Sequence, residues 1–163
     1  MNIKIKKHLL LYKGYKLKCI ICKSGIVNSK EEGDLATPKG TFELGVLYYR
    51  KDRIKLPQCK INKKILRKNM GWCNDSKSKK YNKEISFPFK YGAEKLYRKD
   101  KIYDILINIK YNHFPIIKER GSAIFLHLTN NKYKPTKGCI AILKKDFLKI
   151  LPLINRNTKI LVS

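Results

Sequence analysis

Long apolar runs, acidic side chains and arginine are all scarce in this chain, and each shortage narrows what it does. No stretch approaches the roughly 18 consecutive apolar residues of a membrane-spanning helix. The opening MNIKIKKHLLLYKGYK carries only the short run from His8 to Tyr12. That is below the ~7-residue apolar core of a signal peptide, and no small-residue cleavage site follows. A soluble chain without an export signal is the expectation. Acidic residues number 12 against 38 basic ones, a net charge of +26 that attracts polyanions. Yet only 6 of the basic residues are arginine, the side chain whose planar fork binds phosphate and guanine with two bonds. The 32 lysines are scattered and accompany abundant isoleucine and asparagine, as an AT-rich coding sequence produces. The charge alone therefore does not mark a nucleic-acid reader.

Cysteine is present five times, at 19, 22, 59, 73 and 139, but only one CxxC occurs, Cys19-Ile-Ile-Cys22. It lies in an apolar run that reads as a strand, where residues three apart point to opposite faces. A closed zinc site needs four ligands, and no second CxxC supplies them. These thiols are expected to be buried structural groups, and no metal or other cofactor is expected.

What is present is a core. Hydrophobic residues make up 43% of 163, enough for one domain spanning residues 1–163 without disulfides. Runs rich in Ile, Tyr, Val and Phe at 2–5, 8–12, 15–22, 41–49, 102–111, 122–129 and 138–143 predict strands. Two segments predict helix: Gly92 to Arg98, and Lys144 to Ile154, where Pro152 limits the regular part. The polar stretch 60–80 reads as a long loop. The fold class expected is mainly β.

Two residues could carry chemistry. Cys139 follows Gly138 and opens the apolar run Ile140-Ala-Ile-Leu143. Glycine allows close approach of a substrate, and amides at such a junction can stabilise an oxyanion. His127 ends the run Ser122-Ala-Ile-Phe-Leu-His127. A turn through Asn130-Asn131 would return the chain antiparallel and bring imidazole to thiol, the arrangement of a Cys–His nucleophile. Spacing alone leaves open the plainer reading, a buried cysteine beside a satisfied histidine.

The surrounding residues resemble the catalytic domain of the L,D-transpeptidases. Thr136, Gly138 and Cys139 fit that family's [Ser/Thr]-His-Gly-Cys, and His127 fits its upstream histidine. Asp34, Thr37, Pro38, Gly40 and Phe42 fit its D-x-x-T-P-x-G-x-[FY] segment. Tyr49 to Arg53, Gly71 to Asp75, Tyr81-Asn82 and Arg120 to His127 look like a short proteobacterial branch of it. The resemblance implies a β-sandwich with one or two short helices and an enzyme acting on peptidoglycan stem peptides, as donor and as acceptor. It implies Cys139 as nucleophile, His127 as general base, and the amides of Lys137, Gly138 and Cys139 as oxyanion hole. It offers Arg53, Trp72, Asn82, Arg120 and Thr136 for substrate binding. Three departures stand out: Lys137 replaces the usual histidine, Ala141 replaces the usual Arg or Asn, and the gap between His127 and Cys139 is short. The branch also suggests L-alanine of the first stem position as donor. Three readings follow: a transpeptidase, a carboxypeptidase or endopeptidase using the same thioester, and a non-catalytic basic module binding polyanions. The substrate lies in the envelope or periplasm, whereas the five thiols and the chain's start suit the cytoplasm.

Overall fold

The apolar runs fold as strands because each can bury alternate residues. The computed structural model describes residues 1–129, 132 and 134–163. In chain order the strands are β1 (Ile3–Lys6), β2 (Leu9–Tyr12), β3 (Tyr15–Ile20), β4 (Ile26–Val27), β5 (Thr37–Pro38), β6 (Gly40–Tyr49) and β7 (Lys63–Ile65). There follow β8 (Met70–Cys73), β9 (Glu84–Ser86), β10 (Ala93–Lys95), β11 (Ile105–Ile109), β12 (Phe125–Thr129) and β13 (Ile140–Leu143). Helix α1 (Lys144–Ile150) continues as a 3₁₀ turn at Leu151–Leu153, and β14 (Lys159–Val162) ends the chain.

The pairings run β6-β11-β12-β13-β3-β2-β1-β14 and return to β6. Two strands turn the corners. β6 pairs with β14 through residues 40–43 and with β11 through 44–49. β3 pairs with β2 through 15–18 and with β13 through Cys19 and Ile20. Strands that switch partners in this way join the two halves of a β-sandwich. Gly45 sits at the β6 corner, where an added Cβ would lie 3.2 Å from the Asn108 side chain and 3.3 Å from its carbonyl. The chain is thus mainly β, as the sequence implied.

The half that carries the site is buried on both faces. Ile105, Ile107, Leu126, Leu128, Ile140 and Ile142 point into the main core, which Phe147, Ile150 and Leu151 close. Leu106, Phe125 and Cys139 point the other way, into a second cluster with Tyr48, Met70, Trp72, Leu96 and Tyr103. A small antiparallel sheet, β10-β8-β9, supplies part of that cover. At roughly 1.5–3 kcal/mol per fully buried large apolar side chain, the two clusters hold this half from both sides.

Four expectations need correction. Residues 92–98 form no helix; Glu94 and its neighbours pair as β10 against β8. The stretch 60–80 holds β7 and β8. The second helix stops as α-helix at Ile150, and Pro152 lies in the 3₁₀ turn. β12 and β13 are parallel, with Leu126 opposite Ile140 and His127 opposite Ala141. A parallel pair requires a crossover and cannot be joined by a tight hairpin. Ahead of β13, Thr136 bridges in parallel to Cys22, just beyond β3. The expected turn at Asn130-Asn131 lies outside the described residues.

Candidate active site

The parallel register still puts His127 and Cys139 on one face. Cys139 lies two residues before Ala141, the partner of His127, so thiol and imidazole are diagonal neighbours on the side away from the main core. Both line a cavity of about 710 Å³, with Lys30, Glu94, Arg98, Tyr103 and Lys137 among the other walls. The cysteine is 7% exposed and the histidine 6%.

The thiol is held from three directions. It donates to the Ala123 carbonyl at 3.2 Å and receives the Phe125 amide at 3.4 Å. The oxygen of the Tyr103 hydroxyl, whose one proton goes to Glu94, lies beside it. Burial pushes the thiol pKa up to about 12, and the nearby Glu94 charge adds to the rise against the smaller opposing effect of the Phe125 amide and Lys30. Burial lowers His127 to about 4, partly offset by its bond to the Leu128 carbonyl. A carbonyl only accepts, so Nδ1 carries the proton in that 2.8 Å contact. Nε2 is left with its lone pair, ready to take a proton. The Tyr103 ring packs edge-on against the imidazole, centroids 5.1 Å apart, and fixes its plane.

The resting pair is therefore a neutral thiol and a neutral imidazole. This gives a testable outcome. With its pKa raised, Cys139 has far less thiolate at pH 7 than an ordinary cysteine near 8.5. Alkylation by iodoacetamide should be roughly 10²–10³-fold slower than for a free thiol, and should climb without a plateau from pH 6 to 9. A plateau near neutral pH would mean a preformed thiolate–imidazolium pair.

The loop before Cys139 is fastened tightly. The Thr136 hydroxyl donates to the Cys139 carbonyl, and Thr37 donates to the Gly138 carbonyl at 3.0 Å. Gly138 has φ +134°, and a Cβ there would lie 3.1 Å from the Ala36 carbonyl, so this turn requires glycine. The Gly138 amide makes a long 3.5 Å contact with Thr136 Oγ1. Lys137, exposed on the rim, lies one residue before that glycine.

The structure places the other expected substrate residues unevenly. Thr136 lines the cavity; Arg53, Trp72, Asn82 and Arg120 are not among its lining residues. Arg53 pairs with Asp104 at 2.9 Å. Arg120 donates to Ser29 at 2.9 Å. Trp72 is buried, edge-on to Phe125, and donates to Asn82 at 2.9 Å. Asn82 also receives the Ala123 amide at 3.1 Å and donates to the carbonyls of Tyr111 and Asn112 at 3.1 and 2.8 Å. It thereby fixes Ala123, whose carbonyl accepts the hydrogen bond of the thiol. Replacing Asn82 by leucine should cost about 2–4 kcal/mol in urea unfolding, because several buried groups lose partners at once. A loss below ~0.5 kcal/mol would show that this hub is not holding the structure.

Sequence reasoning missed Glu94, Arg98 and Tyr103. Glu94 sat in a segment read as helix, and Tyr103 lies just before β11 with nothing nearby to mark it. The family model of the L,D-transpeptidase catalytic domain matches residues 3–162. No curated protein and no solved structure matches the chain.

Proposed function

The chain belongs to the L,D-transpeptidase catalytic domain family, whose members act on peptidoglycan stem peptides, and from that we propose that it cross-links stems by acyl transfer through a thioester on Cys139. The observation that carries the reading is the shared face of Cys139 and His127 at the wall of one cavity. As Sγ attacks the donor carbonyl, its proton passes to Nε2 of His127. The imidazolium then gives that proton to the departing amine, the C–N bond breaks, and a thioester remains. The amine of a second stem attacks the thioester and releases the thiol. The diagonal separation closes as substrate binds, as catalytic hydrogen bonds commonly do.

The amides of Lys137, Gly138 and Cys139 form the oxyanion hole in this reading, each well-aimed donor contributing about 3–4 kcal/mol. Lys30, Arg98, Lys134 and Lys137 make the cavity lining predominantly basic, which suits the carboxylates of a donor stem. Arg53 and Arg120 act from outside the lining, through the loops they tie. Thr136 orients the nucleophile's loop. Trp72 and Asn82 support the wall behind it. Residues 1–163 work as one domain in the cell envelope. Transfer is favoured over hydrolysis by the burial of the thiol and by the presence of a carboxylate in the cavity wall that can receive an amine.

Incubating purified sacculi with the protein and resolving the muropeptides by mass spectrometry tests the reading. New cross-linked dimers are the expected product, and fragmentation of them names the donor position. Stems that are only shortened would make the protein a hydrolase.

A further inference from the structure

Among the described residues that line the cavity, only Glu32 and Glu94 are acidic. Glu32 is engaged by the Tyr81 hydroxyl from the neighbouring loop. Glu94 is placed differently. Its Oε1 receives the Tyr103 hydroxyl at 2.8 Å, and that same phenol lies against the thiol and packs on His127. One side chain thus links the carboxylate to both reacting groups. Arg98 approaches Glu94 only to 3.9 Å and is itself held by Asp100. The Glu94 side chain keeps 28% of its surface exposed.

A negative charge here opposes the first half of the reaction, since it disfavours any anionic sulfur. The donor stem is also anionic and gains nothing from it. The second half is different, because the attacking group arrives as an ammonium ion. We infer that Glu94 is the acceptor subsite: its carboxylate receives the ammonium group of the second stem and holds the amine against the thioester on Cys139. The inference rests on the acyl-transfer reading above.

The step balances. The ammonium gives one proton to Glu94, which releases it to solvent. The amine nitrogen attacks the thioester carbonyl, forming the C–N bond as the C–S bond breaks. The nitrogen's second proton passes to Nε2 of His127 and from there to the sulfur. Burial raises the Glu94 pKa, which suits a group that must take up that proton briefly.

The test compares two acceptors on the same acyl-enzyme: a stem peptide with a side-chain ammonium, and hydroxylamine, which is neutral at pH 7. Glu94→Gln keeps an acceptor for Tyr103 but removes the charge. Because the charge opposes attack by sulfur, acyl-enzyme formation should be no slower than wild type, while the ratio of transfer to the stem amine over transfer to hydroxylamine falls roughly 10²-fold. Glu94→Asp should fall between the two, and serves if the glutamine variant does not fold. Equal slowing of both acceptors, or slowing of neither, overturns the assignment of Glu94 alone. A wild-type protein that acylates but only hydrolyses overturns the acyl-transfer reading, and the acceptor subsite with it.

Discussion

Cys139→Ala is expected to reduce cross-link formation to the level without enzyme, a loss of at least ~10⁴-fold, with the fold intact. No other described thiol can take over. Cys19 is wholly buried in β3, packed in the main core and not among the residues that line the cavity. Cys22 is buried, bonded to Gly25 and Thr37. Cys73 is wholly buried on β8, and Cys59 packs against the main core. Losing one sulfur removes the contacts with Ala123 and Phe125, so unfolding should shift by only about 1 kcal/mol. The pair of readouts matters: activity lost with stability kept identifies a nucleophile, whereas both lost together would mean a packing residue. Activity above a tenth of wild type would rule out Cys139.

His127→Asn is the second large effect, an expected fall of about 10²–10⁴-fold in kcat. Its pH profile separates a base from a spacer. In the wild type the imidazole is held down to about 4, so its basic form is present above that pH. An unperturbed imidazole would lose half its basic form already at about 6.5. The wild-type rate of acyl-enzyme formation should therefore be nearly flat from about pH 5 to 9. Without His127 the proton must leave to solvent, and the residual rate should rise close to tenfold per pH unit over the same span. A flat profile in the variant would place the base elsewhere.

Much of this was legible in the sequence, for identifiable reasons. Every run predicted as a strand became one, because β-branched and aromatic residues in alternation have few other ways to bury themselves. Cys139 and His127 stood out through the words around them. The parallel crossing did not, because two short strands separated by ten mostly polar residues look the same whether the chain turns back or crosses over. The small sheet was hidden for another reason. β8, β9 and β10 are three or four residues long, and the apolar side chains of β8, Met70 and Trp72, find partners on β11 and β12 rather than through local periodicity. Glu94 could not be found for the same cause: Ala-Glu-Lys carries helical propensity, and only pairing with β8 turns it toward Tyr103. Arg53 and Arg120 are already engaged within the chain. An arginine in a matched segment suggests a carboxylate ligand, yet in this chain Arg53 meets Asp104 and Arg120 meets Ser29.

The central claim is that a donor stem becomes covalently attached to one particular sulfur. The most direct measurement is to quench the reaction in acid during turnover, digest the protein, and locate the acyl mass by peptide mapping. The account predicts a single adduct, on the peptide carrying Cys139, that is absent in Cys139→Ala and discharged by hydroxylamine. An adduct on the peptides carrying Cys19, Cys22, Cys59 or Cys73, or cross-linked product formed with no adduct on any thiol, would contradict it.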